Sequence, residues 1–235
     1  MSPERRCGLD RVPRCVSITG VLAVVSGASC AGKSTVASHL SERLEGVSVH
    51  DFDEGAGSPP FDRAWRRMHT ERWLQHALEL QKDGRDLLLL GGVTGEVLAS
   101  ASATDVAGFV FGLLDCADTE RAQRLRERGS VDEHEIWNHV VWGVWLRCHA
   151  ADPAWFDGPI RGDGGGDLAW SRWEGWRAGD PRWQIDRFDT TSVTPEMSAD
   201  EIAAWFRARS AERDTGTLPL AGGWWNDTNG PPPDS

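Results

Sequence analysis

The sequence predicts an α/β domain in which a parallel sheet lies between two layers of helices. Three observations predict it. Residues 16–26 form an apolar, β-branched run of the kind found in a strand buried on both faces. That run ends at Gly27-Ala28-Ser29-Cys30-Ala31-Gly32-Lys33-Ser34, which has the spacing G-x-x-x-x-G-K-[ST]. Beyond Ser34 the period becomes helical, with Val36, Leu40 and Leu44 recurring every fourth residue up to Gly46. Short apolar strands then alternate with helices down the chain, which favours parallel pairing through crossover connections.

The later elements follow from the same signals. Residues 47–50 read as a second strand and 62–82 as a long helix with Trp65, Met68, Trp73, Ala77 and Leu80 on one stripe. Residues 86–90 read as a third strand closed by Gly91-Gly92, and a loop and short helix lead to a fourth strand at 109–114. Asp118 is the expected N-cap of a helix over 119–128, and a further helix spans 132–150. Residues 152–181, rich in Gly, Trp and Asp, read as an irregular insert. Residues 183–189 alternate as a fifth strand, and Ser198 with Glu201 fits a capping box opening the last helix. The expected organisation is a flexible lead-in at 1–15, one domain at 16–220 with an acceptor-side insert or lid near 129–182, and a flexible tail at 221–235. No internal repeat is visible.

Composition excludes several classes. Lys+Arg number 25 and Asp+Glu 36, a net charge of −11 that repels nucleic-acid backbones. Hydrophobic residues at 40% and charged residues at 26% indicate a globular chain. The apolar run 21–25 is too short to span a bilayer, and no secretory signal pattern is seen. Five scattered cysteines without a C-x-x-C read as free thiols of a cytoplasmic protein. The histidines form no metal-ligand pair, because His134 and His139 are five residues apart. Eight of the 13 tryptophans fall between Trp137 and Trp183, where packing of the insert is the favoured explanation and one or two rings facing an acceptor the alternative.

The Gly27–Ser34 segment has a definite chemistry. Its glycines let successive N–H groups turn inward, and the helix starting near Lys33 adds the positive end of its dipole. The expected nucleotide contacts are Gly27, Ser29, Cys30, Ala31, Gly32, Lys33, Ser34 and Thr35, with Lys33 on the β- and γ-phosphates and Ser34 on Mg²⁺. The second strand runs into Asp51-Phe52-Asp53-Glu54, at the strand end that opens onto the nucleotide crevice. Asp51 is the expected metal-side carboxylate and Asp53 the base that orients or deprotonates an acceptor. The third strand ends in glycines instead of an acid, which argues against a motor-type ATPase. Gly92 and Thr94 would then line the acceptor space, with Arg63 and Arg66 available for an anionic acceptor. Arg124 and Arg128, on the helix after strand four, are the candidates for offsetting transition-state charge.

Together, the phosphate loop, the Asp-x-Asp, the arginine-rich helix and Asp189-Thr190-Thr191 resemble the small-molecule kinase branch of the P-loop fold. Shikimate, gluconate and adenylylsulfate kinases and chloramphenicol phosphotransferase belong to that branch. The resemblance covers about residues 16–130 and 183–209. It implies a three-layer P-loop NTPase fold with a five-stranded parallel sheet ordered 2-3-1-4-5 and a mobile lid carrying arginines. It also implies that Asp189 and Thr190 lie by the adenine. The long helix at 132–150 and the Trp-rich insert depart from a compact lid, and no single member's acceptor signature is matched. The function expected is an ATP- and Mg²⁺-dependent kinase acting on a hydroxyl or phosphate of a metabolite, nucleotide or antibiotic-like compound. The alternatives are a P-loop hydrolase or regulatory NTPase, a polynucleotide 5′-hydroxyl kinase and a binding module without turnover. A homodimer is compatible with the sequence.

Overall fold

The structure is a computed structural model that describes residues 19–129, 131–162 and 168–226. Its strands are β1 (Leu22–Ser26), β2 (Ser48–Asp51), β3 (Leu87–Leu90), β4 (Phe109–Asp115) and β5 (Ile185–Asp189). Its helices are α1 (Lys33–Arg43), α2 (Arg63–Lys82), α3 (Thr94–Ala99), α4 (Asp118–Arg128), α5 (Glu133–Ala151), α6 (Gly158–Arg161) and α7 (Pro195–Thr215). The sheet has the order β2-β3-β1-β4-β5 and every pairing is parallel. β1 is central, with Val24 opposite Leu89 on one side and Phe111 on the other. This is the three-layer P-loop architecture and strand order that the resemblance implied.

Strand periodicity divides the core in two. Leu22, Val24, Leu87, Leu89, Phe109 and Phe111 face α2, α3 and the tryptophans of the insert. Val21, Ala23, Val25, Leu88, Leu90 and Val110 face α1 and α7. Because both faces are covered, β1, β3 and β4 are buried throughout, which explains their unbroken apolar runs. The carboxyl ends of β1, β2 and β3 open on one edge, and the loops Gly27–Ser34, Asp51–Gly55 and Gly91–Thr94 leave from there. Gly91 has φ 130°, and a Cβ there would lie 2.4 Å from the Cβ of Phe52, so only glycine lets the third loop pass the second.

Several boundaries differ from expectation for local reasons. Asp118 is the first residue of α4 and does not cap it. Its carboxylate is taken by Arg147 NH2 at 2.7 Å, and Ala117 is the N-cap. The last helix starts earlier than Ser198, at Pro195, with Thr194 Oγ1 accepting from Met197 N, and Ser198 lies buried inside it. α5 carries the reciprocal capping box instead, between Asp132 and Glu135.

The insert is built chiefly by packing. Trp170, Trp173, Trp176 and Trp183 are buried, and α6 and a 3-10 turn at Trp170–Arg172 each add one buried side chain, Ile160 and Trp170. The expected flexible tail begins too early. Ala221 bridges Gly108, and Trp224 is buried against Phe109 and Trp176. The lead-in at 1–15, residues 227–235 of the tail and residues 163–167 of the insert lie outside the described residues. Among the described residues no helix is long and apolar enough to cross a membrane.

Candidate functional site: the phosphate loop and its surroundings

The phosphate loop leaves β1 through a tight passage. A Cβ at Gly27 would sit 2.7 Å from the carbonyl oxygen of Leu114. Cys30 and Gly32 have φ of 59° and 100°, the left-handed angles that turn the chain back on itself. Gly32 is the N-cap of α1, so Lys33 and Ser34 occupy its first turn. Lys33 Nζ donates to the carbonyls of Gly27 at 2.9 Å and Ala28 at 3.2 Å. Burial lowers the pKa of the Lys33 ammonium below its ordinary value, opposed by the carboxylates of Asp51 and Asp53.

β2 delivers Asp51 to the same place. Ser34 Oγ donates to Asp51 Oδ2 at 2.5 Å, and Asp53 N donates to Asp51 Oδ1 at 3.1 Å. A hydroxyl and a carboxylate converging at the first turn of α1 are the oxygen donors that suit Mg²⁺. Asp53 is exposed beside them. Glu54 faces the other way, accepting from His50 Nδ1 and from Asp51 N, and so closes the turn.

On the other side of the loop is an opening of about 290 Å³ lined by Cys30, Gly32, Thr35, Val36, Arg124, Thr190 and Pro195, among others. Thr190 is buried, with Oγ1 donating to the carbonyls of Ala31 and Asp115. Asp189 is exposed and accepts from Thr191 N and Oγ1, which holds its carboxyl below the usual range. Arg124 belongs to this side. It pairs with Glu120 at 2.7 Å and donates to the Thr190 carbonyl at 2.7 Å and to that of Cys30 at 3.4 Å. These contacts hold Arg124 against the Thr190 and Cys30 carbonyls beside the opening. Arg128 is exposed at the end of α4; burial lowers the pKa of half-buried His139 on α5, and the charges of Arg121, Arg128 and Lys33 add to it.

The expected acceptor residues are dispersed. Arg66 makes a two-pronged ion pair with fully buried Glu96, Nε to Oε2 at 2.5 Å and NH2 to Oε1 at 2.8 Å. Its guanidinium lies 5.5 Å from the ring of Trp142. A buried carboxylate requires a counter-charge, so Arg66 is neutralised within the fold and does not stand free for an anion. Arg63 donates to the Pro159 carbonyl and Arg67 to those of Ile160 and Arg161, so both hold α6 in place. Arg66 is thus engaged inside the fold, whereas Arg63 is exposed and rests on α6 through the Pro159 carbonyl. Thr94 is 4% exposed, too enclosed to line an open acceptor space, whereas half-exposed Gly92 receives the Ser26 hydroxyl on its carbonyl at 2.7 Å.

Spacing gave no warning of the most elaborate polar cluster. Asp115, at the end of β4 and 1% exposed, accepts from Arg121 NH2 at 2.5 Å, Arg187 NH2 at 2.9 Å and Arg147 NH1 at 3.2 Å. Fully buried Arg121 also donates to the Ser29 carbonyl at 2.9 Å, tying the phosphate loop to β4. Gly143 makes room for it, because a Cβ there would lie 2.8 Å from Arg121 Nε. The one available signal was an acid at the last position of a buried strand.

Behind the site, His149 is 2% exposed, stacked on Trp145 at 4.7 Å and edged by Trp173 and Trp183, and both its ring nitrogens lack a hydrogen-bond partner. Burial pushes its pKa down to about 4. An unfolded histidine titrates near 6.5, so the unfolded chain takes the proton first and the stabilisation present above pH 6.5 is lost as pH falls toward 4. The expected loss is about 3 kcal/mol from this group. His149→Phe should remove that component, which urea titrations at pH 7 and pH 4.5 of both proteins would read; equal pH slopes would refute it.

Residues 24–138, just under half of the chain, match the family model described as an AAA domain. No curated protein matches the chain. Among solved structures, a sugar kinase from Janibacter sp. HTCC2649 is 14% identical over 82% of this chain and 96% of its own, with a TM-score of 0.44. The protein designated APE1195 is 16% identical over 81% of this chain and 96% of its own, with a TM-score of 0.39. With its phosphate loop at the end of β1 and its sheet order, the chain has the α/β P-loop fold.

Proposed function

We propose that this chain is an ATP- and Mg²⁺-dependent phosphotransferase that moves the γ-phosphoryl of ATP to a hydroxyl or phosphate of a small molecule. The observation that carries the reading is the meeting of Ser34 Oγ and Asp51 Oδ2 at 2.5 Å beside exposed Asp53, at the mouth of the phosphate loop. Ser34 and Asp51 would hold Mg²⁺, which when bound neutralises phosphate charge. The amides of Gly27–Ser34 cradle the phosphates, and Lys33 exchanges its loop carbonyls for the β- and γ-oxygens. Thr35, Arg124 and Thr190 border the nucleoside. Asp53 accepts the acceptor's proton as its oxygen attacks the γ-phosphorus and the bond to the β-phosphate oxygen breaks, releasing ADP. Lys33 offsets the charge of the moving phosphoryl, and Arg128 is the α4 arginine left for the same duty. The three described cysteines, Cys30, Cys116 and Cys148, are all free, which fits a cytoplasmic setting.

The test is a screen of nucleosides, sugars, amino alcohols and aromatic antibiotics for acceptor-dependent ADP release with Mg²⁺-ATP. At least one class should raise ADP release well above the acceptor-free rate. A flat response across the panel, with ATP still bound, would favour a hydrolase or a binding module.

A further inference from the structure

The outer face of α5 carries an apolar seam that the proposed chemistry does not use. Trp137 is 56% exposed, Val141 64% and Val144 39%, and Cys148 and Ala151 continue the line, half-buried and exposed. These five positions follow one another at intervals of four, three, four and three, the repeat of a helix that packs along its length against another helix. The face of α5 toward the domain is a different one, formed by Ile136, Val140, Gly143, Leu146 and His149, all buried. The seam contains no charged residue.

We propose that this seam is a two-fold interface with a second copy of the same chain, two α5 helices crossing antiparallel at Val144. The seam is self-complementary about that point. Trp137 and Ala151 lie seven residues to either side of Val144, so the largest seam residue of each copy meets the smallest of the other. Val141 and Cys148, three and four residues away, meet in the same manner. The area suffices for such a pair. Taking about 250 Å² for a whole tryptophan side chain, the exposed parts of the five residues come to roughly 350 Å² per chain. With the flanking helix surface, a two-fold pair reaches about 1,000 Å², the lower bound for a specific interface. The crossing leaves the phosphate loop open, since His139 and Trp142 occupy the opposite side of the helix from the seam.

Sedimentation equilibrium of the full chain from 1 to 100 µM tests this. Twice the chain mass is expected at tens of micromolar, and Trp137→Glu or Val141→Glu should each weaken association at least tenfold without changing circular dichroism. Proximity is read separately with a short bismaleimide in a Cys148→Ser background. Val144→Cys, which faces itself across the axis, should be cross-linked as a dimer. Trp137→Cys, about 21 Å from its mate along the axis, should remain at the background level. A monomer throughout the range, a dimer indifferent to both charged variants, or equal cross-linking of the two cysteine variants overturns the proposal.

Discussion

Asp53→Asn is expected to lower acceptor-dependent phosphoryl transfer by about 10²- to 10⁴-fold, the usual contribution of a positioned general base. Asparagine keeps the shape and one acceptor oxygen but can neither take a proton nor pull one strongly. Asp53 is exposed and makes no side-chain contact that holds the fold, so stability should be unchanged. Nucleotide affinity should be equal or slightly tighter, because a carboxylate close enough to raise the Lys33 pKa is removed from beside the triphosphate. Single-turnover transfer and calorimetric nucleotide binding on the same variant separate the two quantities. Transfer within threefold of the parent would remove Asp53 from the mechanism. Loss of nucleotide binding would mean that it acts on the donor, as Asp51 is proposed to do.

The largest loss of stability should come from Asp115→Ala. Removing that carboxylate leaves Arg121 fully buried without a counter-charge, with Arg147 and Arg187 nearby. Breaking a buried pair on one side costs about 3–5 kcal/mol, a large part of a typical domain's total. The double replacement Asp115→Leu with Arg121→Met should recover much of the loss, since an uncharged pair of similar volume incurs no desolvation penalty. It should still weaken nucleotide binding, because the Ser29 carbonyl loses the guanidinium that anchors the phosphate loop to β4. Urea denaturation of the three variants measures the first effect and nucleotide titration the second. A single-variant loss below about 1 kcal/mol would show that the cluster is solvated and structurally minor.

What could be read in the residues alone was whatever depends on neighbours along the chain. The phosphate loop is eight consecutive residues whose glycines and lysine act within one turn, so their spacing states their geometry. The strands were legible because burial on both faces leaves an unbroken apolar run, as in Leu87–Leu90. Asp51 was legible because the end of a strand next to the phosphate loop has few places to go. Tertiary structure alone decided the partners of the arginines. Arg66 lies 30 residues from Glu96, Arg187 lies 72 from Asp115, and Arg124 reaches 66 residues to Thr190. Charge attraction falls with distance in space and is indifferent to separation along the chain. The same guanidinium reads equally as an acceptor ligand, a lid or a strut until folding brings its carboxylate or carbonyl to it.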